Sequence, residues 1–300
     1  HNTQDFMAIT KMQEDDIALC VLPMYHCFGW ICTVCANLYI GATQVVQETY
    51  QFGDAMSLIK KYHVNTMCGV PTMFQLFVKG ATAAELAHFR FFISGGAPLS
   101  RVLYDAFAKK FGQHVQEGYG LSEATPVTTF NRIDKTKQGS IGLPIPHVEV
   151  KLMDTDSQEV PVGEVGEVCV KGPNVMLGYW NRPKETAWTL RDGWLHTEDL
   201  AYRDEEGWIF IVDRLKDMII SSGENVYPRE VEEVLMAHPD IKEAAVIGIP
   251  DKLRGQAICA YIVPEDGGTT DKRMIRKYLL SRIAAYKVPK EFIFCNQLPR

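Results

Sequence analysis

Short apolar runs alternate with amphipathic segments through the first 115 residues of the chain. Two segments, 52–62 and 101–111, repeat their apolar residues at helical spacing, and a further helix is predicted to open over 73–78. The continuously apolar run 17–22 has strand length, and three further strands are predicted at 42–46, 64–70 and 89–94. Strands that alternate with helices are typical of α/β proteins, so this part predicts a mostly parallel sheet.

The stretch between Asp16 and Glu48 contains no Asp, Glu, Lys or Arg, and a membrane span is one interpretation of it. Pro23, His26 and Gly29 interrupt the stretch, and its pattern is strand, turn, helix and strand. We therefore favour a buried core over a membrane span.

The pattern changes twice in the second half of the chain. After residue 138, short strands and glycine-containing turns predict a small antiparallel barrel or sandwich with one short helix at 185–190. After residue 213, helices and strands predict a compact α+β domain. The predicted organisation is an α/β part over 1–138, a small β-barrel-like subdomain over 139–213 and a small α+β domain over 214–300.

Composition indicates a globular protein and argues against a nucleic-acid partner. The 300 residues are 46% hydrophobic and 23% charged, and the formal net charge is −6, whereas nucleic-acid binding favours a basic face. The eight cysteines are scattered through apolar segments and form neither a disulfide framework nor a paired zinc signature. We expect reduced thiols and a cytoplasmic location. Cys32 and Cys35 have redox spacing, but core cysteines are common in such apolar runs.

The densest group of candidate chemistry is the stretch 117–126. Two glycines flank Tyr119 and allow the backbone to approach a ligand, and the ring offers a flat face for a base. Ser122 can bond a phosphate oxygen, and Glu123 can hold Mg²⁺ through oxygen. These groups suit a nucleoside triphosphate with its metal, but a glycine-rich turn with a buried tyrosine and a solvated glutamate fits the same residues.

A second glycine turn, 94–98, directly follows a predicted strand. Ligands of parallel α/β sheets bind at the carboxyl ends of the strands. We therefore expect this turn and the stretch 117–126 to lie at the ligand-binding edge of the sheet.

Six spaced motifs, in the right order, extend the argument over essentially the whole chain. They lie at 24–26, 94–98, 117–126, 194–200, 213–219 and 223–228. Together they resemble the adenylate-forming acyl-CoA synthetases, the superfamily of the 4-coumarate–CoA ligases and firefly luciferase. The residues at 122–131 and 172–176 are most similar to bacterial long-chain fatty-acid–CoA ligases.

The resemblance implies a two-step reaction with ATP, Mg²⁺ and coenzyme A. A fatty carboxylate attacks the α-phosphate of ATP to give acyl-adenylate and pyrophosphate, and the thiol of coenzyme A then displaces AMP. Negative charge grows at the α-phosphate, so a metal must offset it. By resemblance, Glu123 holds Mg²⁺, Ser122 bonds the phosphate and Tyr119 stacks on adenine. The base site is further lined by Gly96, Glu117 and Gly118.

The remaining motifs imply five more roles. Asp199 is an acceptor suited to two ribose hydroxyls, and Arg214 is expected to reach the same ribose. Lys216 resembles the pivot before a small C-terminal lid domain and is expected to touch the nucleotide. His26 is expected beside the substrate carboxylate. Gly223 matches a turn that lets the pantetheine arm of coenzyme A pass close to the backbone.

Ordinary structural roles stay open for four of these residues. Asp199 also suits a turn cap, and Lys216 suits a solvated linker charge. Arg214 with Asp217 suits a surface ion pair of little energetic value. His26 also suits a satisfied core histidine.

The chain departs from the family pattern in four places. A Ser/Thr/Gly-rich phosphate loop normally precedes a position like His1, and a catalytic lysine normally follows a sequence like 298–300. We therefore expect a fragment that is a poor catalyst of adenylation by itself. Glu198 stands where relatives usually carry Gly, and its side chain would crowd the turn if φ were positive. Ile220 stands where some relatives carry Lys.

Three functions stay open at this point: a fatty-acid–CoA ligase, an aryl-acid ligase of the 4-coumarate type, and a non-catalytic nucleotide-binding fragment. The expected partners are small molecules, namely the acid, ATP and coenzyme A. Acyl chain length, homodimer formation and peripheral association with the inner membrane are left open.

Overall fold

The structure, a computed structural model, describes residues 1–251, 255–265 and 271–298. The chain divides into two compact units, His1–Thr197 with Tyr202–Ile211, and Glu198–Ala201 with Val212–Arg300. The domain boundaries after residues 138 and 213 stay predictions. Of the segment 298–300 discussed above, Pro299 and Arg300 lie outside the described residues.

The first unit is built on a seven-stranded sheet with the order β2-β1-β3-β4-β5-β6-β7. Its strands are β1 (Ile17–Cys20), β2 (Thr43–Val46), β3 (Thr66–Gly69), β4 (Phe91–Ser94), β5 (Val115–Gly120), β6 (Val127–Phe130) and β7 (Leu143–Pro144). Strands β1 to β5 pair in parallel, whereas β6 and β7 are antiparallel additions. The predicted α/β class with a mostly parallel sheet is confirmed.

One helix precedes β1, and the others connect the parallel strands. They are α1 (Asn2–Thr10), α2 (Ala36–Ile40), α3 (Phe52–Tyr62), α4 (Pro71–Gly80), α5 (Ala83–Leu86) and α6 (Arg101–Phe111). Helix α6 has the predicted bounds because each end carries a local capping signal. The Ser100 hydroxyl accepts the Leu103 N–H at its start, and Gly112 takes a left-handed φ of 66° at its end.

Phenylalanines fill the core beside the sheet. Phe74, Phe77, Phe92 and Phe107 are completely buried. The Phe92 and Phe107 rings meet edge to face with centroids 5.1 Å apart. Each such burial contributes ~1.5–3 kcal/mol, so this phenylalanine cluster stabilises the packing of the helices on the sheet.

The uncharged stretch before Glu48 folds as β1, a loop, a helical segment with π-type hydrogen bonding over Gly29–Cys35, and α2. Gly29 is required in this segment, since an added Cβ would lie 2.4 Å from the carbonyl oxygen of Pro23. Within the described ranges, the helices are all too short or too polar to cross a lipid bilayer.

A second sheet contains four strands in the order β11-β10-β9-β8. They are β8 (Glu149–Met153), β9 (Gly166–Lys171), β10 (Leu195–Arg203) and β11 (Ile209–Arg214). Helix α7 (Pro183–Thr189) lies between β9 and β10 in the chain. Strands β8 and β9 pair antiparallel, in agreement with the predicted antiparallel character of this part.

The second unit has a five-stranded sheet with the path β13-β12-β15-β14, and β16 pairs with β15. The elements are β12 (Ile219–Ser221), β13 (Glu224–Val226), α8 (Pro228–Met236), β14 (Ile241–Asp251), β15 (Gly255–Pro264), α9 (Lys272–Leu280) and β16 (Glu291–Phe294). Val231 and Leu235 of α8, and Ile275 and Leu279 of α9, are fully buried one helical turn apart. Their apolar stripes close a separate core, as expected for an α+β domain.

Candidate functional site

The stretch 117–126 is part strand and part turn. Residues Val115–Gly120 form β5, and Ser122–Ala124 form a single 3-10 turn. The Leu121 N–H donates to the Pro126 carbonyl at 3.0 Å, which closes the hairpin toward β6. Gly120 is required here, because a Cβ would lie 1.8 Å from the same Pro126 oxygen. Gly120 is therefore needed for backbone packing within this hairpin.

Glu117 braces the glycine turn 94–98. The residue is 8% exposed, and its Oε1 accepts the Leu99 N–H at 3.0 Å. Gly96 within that turn has a φ of 76°, a left-handed conformation that glycine adopts without cost. The two glycine-containing stretches predicted to lie at one edge of the sheet are therefore joined by a buried carboxylate.

The segment 26–28 also reaches this edge. The Ser122 hydroxyl lies 3.4 Å from the Cys27 Sγ, and an added Cβ on Gly95 would lie 3.1 Å from the Phe28 ring. His26 is exposed, and its Nδ1 accepts the Phe28 N–H at 3.2 Å. The structure therefore brings the His26 segment, Gly95–Gly96 and Ser122 together, and it leaves the His26 ring accessible.

Glu123 is partly buried and is held by a segment far along the chain. The Tyr179 hydroxyl donates to its Oε1 at 2.7 Å, and the Met176 N–H donates to its backbone oxygen at 2.8 Å. Sequence analysis missed Tyr179. Local sequence holds no signal for this contact, since 56 residues separate the two side chains.

Asn174 fixes the turn that carries Glu123. Its amide Nδ2 donates to the Ala124 carbonyl at 2.8 Å, and the Thr125 hydroxyl donates to the Asn174 carbonyl at 2.8 Å. Thr125 has a φ of 50°, so these bonds hold a conformation that threonine rarely adopts alone. The turn that presents Ser122 and Glu123 is thus clamped from the β9–α7 connection.

Asp199 and Arg214 form an ion pair in the second unit. Arg214 Nε lies 3.4 Å from Asp199 Oδ1, and the two side chains are 63% and 17% exposed. Glu198 has a φ of 61°, and its carbonyl accepts the Leu215 N–H at 2.7 Å. The condition under which Glu198 was expected to crowd the turn is therefore met.

Lys216 and Gly223 lie in two exposed turns. Lys216 follows Arg214, whose carbonyl accepts the Asp217 N–H at 3.1 Å, and Lys216 has no ion-pair partner within the described residues. Ser222 and Gly223 have φ values of 57° and 83° and form the two-residue turn between β12 and β13. An added Cβ on Gly223 would meet no atom within 4 Å, so this backbone is open to a ligand.

A group of polar side chains surrounds buried His196 of β10, with Glu167 and Cys169 on the neighbouring strand β9. His196 Nδ1 is 2.7 Å from Glu167 Oε2 and 3.4 Å from Cys169 Sγ, while Arg191 Nη2 is 3.1 Å from the same Glu167 oxygen. Burial, with the adjacent Glu167 carboxylate, raises the pKa of the Cys169 thiol to about 12. Because Arg191 already neutralises Glu167, we interpret the group as a hydrogen-bonded support of β9 and β10.

All eight cysteines are free, as expected from their spacing. Cys32 is buried, and burial raises the pKa of its thiol well above the ordinary value of 9.0. A thiol with a raised pKa is a poor nucleophile at neutral pH. This environment agrees with a core role rather than a redox role for Cys32.

Comparison with known proteins extends the resemblance. Residues 1–180 match the family model of the AMP-binding enzymes, and residues 230–300 match that of the AMP-binding enzyme C-terminal domain. The chain is 39% identical over 291 residues to a long-chain-fatty-acid–CoA ligase of Escherichia coli O6:H1, covering 95% of this chain and 51% of the relative. It is 38% identical over 304 residues to a feruloyl-CoA synthase of Amycolatopsis sp, covering 99% of this chain and 61% of the relative.

The chain therefore spans about half to three fifths of the length of these relatives. Among solved structures, ATP-bound MatB from Rhodopseudomonas palustris superposes with a TM-score of 0.95 at 32% identity, covering 100% of this chain and 60% of that chain. The family model spans more than half of the sequence and includes Ser122, Glu123 and Tyr179. The chain belongs to the AMP-binding enzyme family.

Proposed function

We propose that the protein containing this chain activates a carboxylic acid with ATP and transfers the acyl group to coenzyme A, releasing pyrophosphate and then AMP. One observation carries the proposal. Exposed Ser122 and partly buried Glu123 are presented on a clamped turn, directly after the strand whose Glu117 braces the Gly96 turn. That edge of a parallel sheet is where α/β proteins bind nucleotides.

The residues of this turn fit Mg²⁺ and ATP chemically. Mg²⁺ prefers carboxylate oxygens, and Glu123 retains lone pairs beyond the one that accepts the Tyr179 hydroxyl. When bound, Mg²⁺ neutralises phosphate charge that would repel the attacking carboxylate. Ser122 would donate to a phosphate oxygen, and the partly exposed Tyr119 ring would stack on adenine. The backbone of Gly96 and Gly118, with Glu117, would line the base.

Each remaining role is proposed separately, from the local contacts of the residue concerned. Asp199 would accept hydrogen bonds from the ribose hydroxyls, with Arg214 beside it. His26, whose exposed ring holds its Nδ1 on the Phe28 N–H, would orient the acid through its second nitrogen. Gly223 offers an open backbone to the pantetheine arm. Lys216 would serve as the pivot for a lid.

A long-chain fatty acid is the acid we favour. The long-chain-fatty-acid–CoA ligase of Escherichia coli O6:H1 is 39% identical over 95% of this chain. An aryl acid is the second candidate, since the feruloyl-CoA synthase of Amycolatopsis sp is 38% identical over 99% of this chain. A cytoplasmic location suits the eight free thiols, which persist in a reducing compartment.

Pyrophosphate release by the full-length protein tests the proposal. The assay is run with ATP, Mg²⁺ and either palmitate, ferulate or no acid. We expect release above the blank with palmitate, and loss of nearly all of it in Glu123→Gln, which removes the metal-binding charge. Release with ferulate alone would reassign the acid. If neither acid gave release above the blank while the protein still bound ATP, a non-catalytic nucleotide-binding module would be favoured.

A further inference from the structure

Tyr179 touches the carboxylate to which the metal role is assigned. Its hydroxyl donates to Glu123 Oε1 at 2.7 Å, a normal distance for a charge-assisted bond. Tyr179 is 37% exposed, and Glu123 is partly buried. A hydrogen bond of this kind restricts the rotation of a carboxylate before any ligand arrives.

Tyr179 is itself held in place from two directions. Its N–H donates to the Thr186 hydroxyl of α7 at 2.9 Å. Gly178 has a φ of 149°, and an added Cβ would lie 2.7 Å from Thr186, so the chain lies close against the helix here. Three residues earlier, the Met176 N–H donates to the Glu123 carbonyl. The segment 176–179 therefore fixes both the backbone and the carboxylate of Glu123.

We propose that Tyr179 is a positioning residue for Glu123. Its hydroxyl occupies one lone pair of Oε1 and holds the carboxylate so that the remaining lone pairs face the divalent cation. A preset carboxylate loses less conformational freedom when the cation binds, so affinity rises without a new metal ligand. The inference rests on the proposed function, in which Glu123 binds Mg²⁺.

Tyr179→Phe in the full-length protein tests the role. Mn²⁺ affinity is measured by electron paramagnetic resonance in the presence of a non-hydrolysable ATP analogue, and pyrophosphate release is measured against Mg²⁺ concentration. We expect Mn²⁺ affinity to fall about ten-fold and the half-saturating Mg²⁺ concentration to rise equally, with kcat at saturating Mg²⁺ within about two-fold of wild type. Tyr62→Phe is the control, since it removes the hydroxyl of a tyrosine of similar exposure (43%) at the end of α3.

Unchanged or tighter Mn²⁺ binding by Tyr179→Phe would overturn the proposal. If that variant fails to fold, Thr186→Val removes the acceptor of the Tyr179 N–H instead, and metal affinity should fall in the same direction. Wild-type affinity in Thr186→Val would then overturn it. Absence of pyrophosphate release from the wild type would refute the proposed function separately, because the Mn²⁺ titration does not depend on turnover.

Discussion

Arg214 Nε lies 3.4 Å from Asp199 Oδ1, and the two side chains differ widely in exposure, 63% against 17%. An exposed guanidinium contributes little to stability through such a pair, ~0–1 kcal/mol. The carboxylate is the more sheltered partner. The pair therefore suits ligand binding better than it suits holding the fold together.

Asp199→Ala should distinguish a role in ligand binding from a role in stability. We expect the free energy of unfolding to change by less than ~1 kcal/mol, because an ion pair with a largely exposed guanidinium contributes little to stability. AMP affinity of the full-length protein should fall ~10–100-fold, the effect of removing a charged acceptor of ribose hydroxyls. Isothermal titration with AMP and urea unfolding measure the two quantities. Asp217→Ala, a nearby exposed carboxylate, should bind AMP like the wild type; equal loss in both variants would refute a specific ribose contact.

The backbone of Glu198, the residue before Asp199, is expected to be strained. Its φ of 61° lies in the left-handed region, which costs a residue with a Cβ ~1–2 kcal/mol relative to glycine. Glycine also increases the freedom of the unfolded chain, which offsets part of that gain. We expect Glu198→Gly to raise the free energy of unfolding by up to ~1 kcal/mol and Glu198→Val to lower it. Urea denaturation checks the order, and a Gly variant less stable than Val would contradict it.

The helices with clear local signals could be predicted, whereas α1 could not. Helix α3 occupies the predicted range, and α8 begins at Pro228, which suits the first turn of a helix. In α1, Asn2 and Asp5 are buried polar residues that break the apolar pattern. Asn2 donates to the carbonyl of Val127 and Asp5 pairs with His147, more than 120 residues away. Such partners are visible only in the folded chain.

In the candidate site, too, residues with a local sequence signal could be predicted, whereas long-range contacts could not. The motif at 117–126 indicated Ser122 and Glu123 as candidates because those residue types are adjacent in sequence, and their roles stay predictions. The Tyr179 contact depends on tertiary packing, so no spacing rule indicates it. Strand β10 was missed for a related reason: Thr197, Glu198 and Asp199 are polar, and their strand state follows from pairing with neighbouring strands.

Gly120 should tolerate no side chain. A Cβ would lie 1.8 Å from the Pro126 carbonyl oxygen. The Gly120 backbone fixes the position of that Cβ, and the oxygen belongs to the backbone of the same hairpin, so neither atom can rotate away. We expect Gly120→Ala to lower the free energy of unfolding by ~3 kcal/mol or more. Gly53→Ala is the matched control, because its Cβ would meet no atom within 4 Å in α3 and should stabilise the protein by up to ~1 kcal/mol.

Thermal unfolding of Gly120→Ala and Gly53→Ala measures this difference in stability. A Gly120→Ala variant as stable as Gly53→Ala would mean that the hairpin opens easily. In that case the turn carrying Glu123 would not be rigid, and the positioning argument for Tyr179 would weaken with it.

Glu232 in α8 should make the second unit less stable as the pH rises. Burial is the main cause that raises its pKa above the ordinary value of 4.5; Asp213 and Glu233 add to the effect, while the Val246 N–H and Arg229 oppose it. The folded state thus binds this proton more tightly than the unfolded state does. The stabilisation is complete below about pH 4.5 and is lost as the pH rises through the raised pKa.

Glu232→Gln isolates this effect, because the amide oxygen can still accept the Val246 N–H that Glu232 Oε1 accepts at 2.7 Å. We expect the variant to be more stable than wild type at pH 7, with a difference that shrinks toward zero at pH 4. Urea unfolding at pH 4, 5.5 and 7 measures it. Glu233→Gln, whose side chain is 58% exposed and pairs with Arg229, should show no such trend. A Glu232→Gln variant less stable than wild type at pH 7 would mean that the ionised carboxylate is the better acceptor, and that its hydrogen bond outweighs the cost of burying the charge.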